Sequence, residues 1–248
     1  MRLAGRLLRL FKYPQLDLAT DSSGLAQAYA GRFGRPVAVL PFPHCPNVRK
    51  GRLSAPLTIG YLGTSYCDRG YLILPDLIVG ILRRLPGVRL VVQSQLGLGG
   101  PRVEDAFRRI CFLETEFKFE HIQGPVSTEK LDELLNEMSL ILLPYSPEPY
   151  RDRTAGMFAD AVGVNVVPVV TKGTWMAEQL AAIPEQRRLV AENSSRAFID
   201  CARRFYADPD GFKESHREFS QSWRNRNTPE NLLDRIISIP RVDSRRAT

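Results

Sequence analysis

Cysteine is scarce in this 248-residue chain: Cys45, Cys67, Cys111 and Cys201 stand far apart, and no two form a C-x-x-C pair. That spacing gives neither a disulfide framework nor a zinc motif, and the thiols read as reduced, as in a cytoplasmic protein. Long apolar runs are missing too. None approaches the roughly 18 to 20 residues that a bilayer-spanning helix needs, and the opening MRLAGRLLRLFKY sets arginines where a signal peptide carries an unbroken apolar stretch. No G-x-G-x-x-G follows the first strand of the main body, which argues against a dinucleotide-dependent oxidoreductase. No internal repeat or low-complexity segment is present.

Charge is lacking where a nucleic-acid face would need it. The net +7 is concentrated at the ends: the first thirteen residues carry +4 and the last nine +2, leaving one unit for everything between. A nearly neutral body with basic ends speaks against nucleic-acid binding. Within the first thirteen residues Leu3, Leu7, Leu10 and Phe11 fall near one helical face, with Arg2, Arg6 and Arg9 largely elsewhere. This fits peripheral contact with anionic lipid and equally a helix packed against other protein.

What is present is ordinary globular composition, 44% hydrophobic, arranged as alternating strands and helices. Strands are expected at 36–40, 57–62, 88–93, 119–122, 140–144, 166–170 and 188–190, most of them Val, Ile and Leu runs without polar alternation, as in parallel strands covered on both faces. Helices are expected at 22–33, 71–85, 103–112, 128–138, 155–164, 175–182, 195–206, 209–222 and 229–238. The last opens on Asn227-Thr228-Pro229-Glu230, a cap followed by an early proline. Strand, helix, strand repeated in this way predicts an α/β fold, a doubly wound parallel sheet with C-terminal helices. Ligands of such sheets sit beyond the carboxyl ends of the strands. A boundary is expected in the proline-rich, basic stretch 42–55.

The loop-to-helix stretch from Tyr145 to Trp175 is the most informative. An apolar strand ends in an acidic loop, a helix opens with Thr154-Ala155-Gly156, and Asp160 follows about a turn inside. A helix N-terminus offers unpaired amides and partial positive charge to phosphate, and a carboxylate just within can accept from ribose hydroxyls. Arg69, just before the next helix at the same sheet edge, can neutralise a phosphate. His44, His121 and His216 stand beside none of these groups and read as structural, as do Trp223, Phe205 and Tyr206.

These residues resemble the nucleotide-sugar-binding domain of GT-B type retaining glycosyltransferases, the broad glycosyltransferase group 1 family. The family's G-R-L-x-x-x-K-G aligns with Gly63-Thr64-Ser-Tyr-Cys-Asp-Arg69-Gly70, with Thr64 in place of the arginine and Arg69 in place of the lysine. The stretch Tyr150-Arg-Asp152-Arg153-Thr154-Ala155-Gly156-Met-Phe-Ala-Asp160 is similar to a subgroup's Y-x-x-R-x-S-G-x-x-x-E, with aspartate at both acids and Ala155 for serine. Val167-Pro168-Val169-Val170 resembles a P-V-V strand. The loop after it carries Lys172, which could stand in for the cation lost at Thr64.

The resemblance covers about residues 16–238 and implies three parts: 1–45 as the remnant of an N-terminal acceptor domain, 46–225 as a Rossmann-like nucleotide-sugar domain, and 226–248 as a C-terminal helix and basic tail. It implies transfer of a sugar from a nucleotide diphosphate sugar to a glycan or lipid-linked acceptor, with retention. Gly63, Thr64, Arg69, Gly70, Arg153, Thr154, Ala155, Gly156 and Lys172 would surround the diphosphate. Asp160 would hold the ribose, and Asp152 or Glu148 would sit at the sugar. No cofactor or metal is required, because no D-x-D appears at these loops and cations with a helix dipole can do that work. The alternative is a non-catalytic or half-enzyme subunit whose partner chain supplies the acceptor domain.

Overall fold

The computed structural model describes residues 17–43, 56–96 and 99–239. The amphipathic N-terminal segment, His44, Cys45, most of the expected boundary and the basic tail lie outside them. Among the described residues, no helix is long and apolar enough to cross a membrane.

A small unit comes first: β1 (Leu18–Thr20), α1 (Ser23–Phe33) and β2 (Val37–Val39), with β1 and β2 parallel in a two-stranded sheet, Leu18 opposite Val37. Ser22 caps α1, its Oγ accepting from Leu25 N–H at 3.2 Å. The main body is a six-stranded, all-parallel sheet of β3 (Thr58–Tyr61), β4 (Arg89–Ser94), β5 (Glu120–Gln123), β6 (Leu140–Leu143), β7 (Val167–Thr171) and β8 (Val190–Ala191). Their spatial order is β5-β4-β3-β6-β7-β8. Numbered from β3, this is the 3-2-1-4-5-6 order of the doubly wound fold, and the order reverses between β3 and β6.

Successive residues of the central strands enter two different cores, as parallel strands covered on both faces require. Tyr61, Leu90, Val92, Leu140 and Leu142 pack with α2 (Leu74–Arg84), α3 (Pro101–Leu113) and, later in the chain, α9 (Ser195–Ala207). Val91, Ile141, Leu143 and Val170 face the other way, toward α4 (Thr128–Glu137), α6 (Gly156–Gly163), α7 (Trp175–Leu180) and α10 (Pro209–Arg226). Trp223 is buried in that second core with Phe158 and Trp175 around it, so the expected packing role holds. α11 (Pro229–Ile237) opens as its sequence foretells, Thr228 Oγ1 accepting from Asn231 N–H at 3.1 Å.

The structure adds four short elements to the expected set: β1, a 3-10 turn at Cys67–Arg69, α5 (Pro147–Tyr150) and α8 (Pro184–Arg187). The helix expected from residue 71 begins at Leu74, after a 3-10 turn at Tyr71–Ile73. Pro75 in its first turn, lacking an N–H, suits a start there. α10 runs on to Arg226, beyond the expected 222, because Trp223 is buried and Arg224 Nη1 donates to Gly163 O at 2.8 Å. The last strand falls at Val190–Ala191 and not at 188–190, since Arg188 and Leu189 close the turn after α8.

Candidate functional site

The loops that follow β3 and β6 flank the point where strand order reverses, and they are packed together. Ser146 N–H donates to Asp68 O at 2.7 Å. Gly70, at φ 75°, lies so close to Pro144 that a Cβ would overlap its carbonyl oxygen, so only glycine satisfies both the left-handed backbone and the contact. The loop after β3 is also tied to its other neighbours. Gly63 N–H donates to Gln93 Oε1, and Gln93 Nε2 donates to Gly124 O, both at 2.9 Å. Thr64 pairs with Gln95 as a bridge that prolongs the β3–β4 ladder. Gln93 is thus a positioning residue that no sequence motif pointed to, although a buried glutamine at a strand's carboxyl end is the signal that could have found it.

Arg69 is brought to this edge half-buried. Burial works against its charge, but the adjoining phenols of Tyr145, Tyr150 and Tyr61 outweigh this and hold the guanidinium pKa above its ordinary value. Burial in turn pushes the Tyr61 and Tyr145 hydroxyls well up, so both are neutral near pH 7. Among the described residues, no carboxylate lies within ion-pairing distance of Arg69. Its Cζ is 5.4 Å from the Tyr66 ring centroid. Arg153 stands similarly over Tyr150, at 5.1 Å, and Tyr150 packs on Tyr145 with ring centroids 4.6 Å apart. Tyr66, Cys67, Asp68, Arg69, Tyr150 and Arg153 line one cleft of about 480 Å³.

None of the other residues singled out in the sequence for the donor site lines this cleft. Gly156 opens α6 directly after Ala155, and no side chain caps that helix. Asp160 is buried within it. Asp152 and Thr154 meet the small unit: Ser22 Oγ donates to the Asp152 carbonyl, and Thr154 Oγ1 donates to Asp21 Oδ2. Glu148 is exposed on α5. Lys172 is exposed at the end of β7, where its Nζ pairs with Glu192 at 2.9 Å.

A larger groove of about 1220 Å³ lies between the small unit and α10–α11, with Phe42, Trp175 and Trp223 in its wall. None of the residues expected around the nucleotide sugar lines it. The smaller cleft is the one that residues expected around the nucleotide sugar, Arg69 and Arg153, do line.

Of the remaining histidines, His216 is fully buried, and burial pushes its pKa down to about 3, with the Val166 backbone opposing the shift. Neither ring nitrogen makes a well-formed hydrogen bond. A neutral, structural residue is what this environment allows. His121 Nε2 is held 2.8 Å from Ser94 Oγ.

No protein-family model matches the chain, and no curated protein matches it in sequence. Solved structures do. Anabaena HepE in complex with UDP and glucose superposes with a TM-score of 0.75 at 14% identity, over 95% of this chain and 65% of that one. Sucrose-phosphate synthase from Thermosynechococcus elongatus gives 0.70 at 14% identity, over 95% and 59%. A point mutant of S. aureus TarM, in complex with UDP among other ligands, gives 0.67 at 9% identity, over 89% and 43%. Such identities establish shared architecture, and the GT-B resemblance seen in the sequence holds at the level of fold. The chain spans less than two thirds of the length of each of these three structures.

Proposed function

We propose that this chain binds a nucleotide diphosphate sugar at the reversal point between β3 and β6, as the donor-binding part of a retaining glycosyltransferase. The observation that carries the proposal is Arg69. Its half-buried guanidinium lines the cleft, and no carboxylate among the described residues pairs with it, so its donors are available to a bound diphosphate. Arg153 lines the same cleft, and the uncapped first turn of α6 offers amides a few residues beyond it. HepE and TarM, which share the fold, carry UDP in their complexes, so a UDP-sugar is the first donor to test.

In this reading Arg69, Arg153 and the α6 amides hold the diphosphate between Gly63, Thr64, Gly70, Thr154, Ala155 and Gly156. Asp160 receives the ribose hydroxyls. Asp152 or Glu148 orients the sugar. As the bond from the anomeric carbon to the diphosphate oxygen breaks, negative charge grows on the leaving group, and cations already fixed in place stabilise it without reorganising. Lys172 can join them, because an exposed ion pair such as that with Glu192 is solvent-screened and readily exchanged. Residues 46–225 form this donor domain, and the glycan or lipid-linked acceptor would be presented by a second body, in a longer chain or a partner chain.

The test is thermal denaturation with UDP-, GDP- and ADP-sugars. A ligand that binds only the folded state raises the melting point with occupancy, so one of the three classes is expected to do so in the native protein and not in Arg69→Ala. No response to any of them overturns the proposal.

A further inference from the structure

Cys111 and Glu114 stand three residues apart where α3 ends, Glu114 being its C-terminal cap, and so share one helical face. His121 comes from β5, the strand that follows and the edge of the sheet. One ligand-type atom from each of the three lies within 4.8 Å of the others. None of the three lines the donor cleft.

We infer that Cys111, Glu114 and His121 form a binding site for one divalent transition-metal ion of the zinc class. The imidazole carries the inference. Its side chain is fully buried, and Nδ1 lies 3.0 Å from Glu114 Oε2 without the alignment of a hydrogen bond. On its other side Nε2 is 2.8 Å from Ser94 Oγ, and that oxygen accepts from the Tyr71 hydroxyl at 2.7 Å. When Nε2–H donates to Ser94, Nδ1 turns a lone pair toward a carboxylate, an arrangement that a metal cation held by both would relieve. Ligating histidines are held in this way, the far nitrogen fixed by a neighbouring oxygen. Phe107 and Phe119 flank the ring at 5.9 and 6.1 Å between centroids and fix its plane.

Thiolate, imidazole and carboxylate together are a zinc-type donor set, and water can take the fourth position on the side where Glu114 meets solvent. Zinc bonds of about 2.0–2.3 Å set ligand atoms roughly 3.3–3.8 Å apart, so closing the site asks for side-chain shifts on the order of 1 Å. The bound ion would fasten the end of α3 to the edge strand. No spaced motif announces the site, because the third ligand arrives from another element.

Untagged protein, stripped with chelator and titrated with Co²⁺, tests the inference. The expected result is one equivalent bound, with a thiolate-to-cobalt charge-transfer band that Zn²⁺ displaces and that is missing in Cys111→Ser, checked by circular dichroism to be folded. Glu114→Gln and His121→Gln are each expected to weaken binding tenfold or more, and Zn²⁺ to raise the melting point of the native chain alone. A native protein without the band, a band that survives in Cys111→Ser, or affinity unchanged in Glu114→Gln would overturn it. An ordinary imidazolium–carboxylate pair would show itself by the first of these outcomes.

Discussion

Gly24 in α1 lies directly against the carboxylate of Asp152, 128 residues further along the chain, so that a Cβ at position 24 would overlap the acid's side-chain oxygen. Ser22 Oγ reaches the same residue's carbonyl. The first candidate acid at the sugar is therefore positioned by the small unit that precedes the main sheet.

Two glycines of one helix are expected to respond oppositely to alanine. Gly31 has nothing within 4 Å of a built Cβ, so Gly31→Ala is expected to stabilise by about 0.5–1 kcal/mol through backbone entropy. Gly24→Ala gains the same propensity but must displace Asp152, an overpacking of about 1–3 kcal/mol. Its melting point is expected to fall, and its affinity for a UDP-sugar to fall more than its affinity for UDP. Paired thermal melts and calorimetry check both.

Arg69→Ala is expected to weaken UDP roughly tenfold or more and to leave uridine unchanged, because a hydrogen bond to a charged group contributes about 1.5–3 kcal/mol. Lys172→Ala should act in the same direction by a smaller factor, since its ammonium is shared with Glu192. Equal losses for UDP and uridine in either variant would place that side chain elsewhere.

Asp160→Asn separates ribose from diphosphate. The carboxylate is 9% exposed inside α6, and its loss is expected to weaken UDP and uridine by the same factor, about tenfold for a net 1.4 kcal/mol. Calorimetry with the two ligands gives the ratio directly.

Stability should depend on pH through His216. Its folded-state pKa of about 3 lies below the ordinary 6.5, so between those values the unfolded chain takes up a proton that the native chain refuses. Stability is then complete above 6.5 and declines as pH falls toward 3, with a slope from this one residue of up to about 1.4 kcal/mol per pH unit. Denaturant melts of the native protein and His216→Leu between pH 6.5 and 5 should show the shallower slope in the variant.

The central strands β4, β6 and β7 were legible because they are buried on both faces and therefore written largely as Val, Ile and Leu runs. β1 was not: three residues, Leu18–Thr20, carry no such run and pair only because β2 lies alongside. Within the site, Arg69 and the opening of α6 could be read from their places at strand ends. Tyr66 over Arg69 and Gln93 beneath Gly63 could not, since each acts across a turn or between strands. The contacts of Ser22 with Asp152 and of Asp21 with Thr154 span 130 and 133 residues, a distance over which no local pattern persists.

Asn227 donates through Nδ2 to Trp223 O and accepts through Oδ1 from Phe42 N–H, at 2.9 Å in each case. That receptor for Phe42 exists only once α10 has been completed and its end fixed by Trp223. Seating Phe42 on Asn227 closes a loop of 185 residues, and the entropy of that closure is lost before the contact is gained. Contacts of such separation slow folding, and the small unit that sets Gly24 against Asp152 depends on several of them.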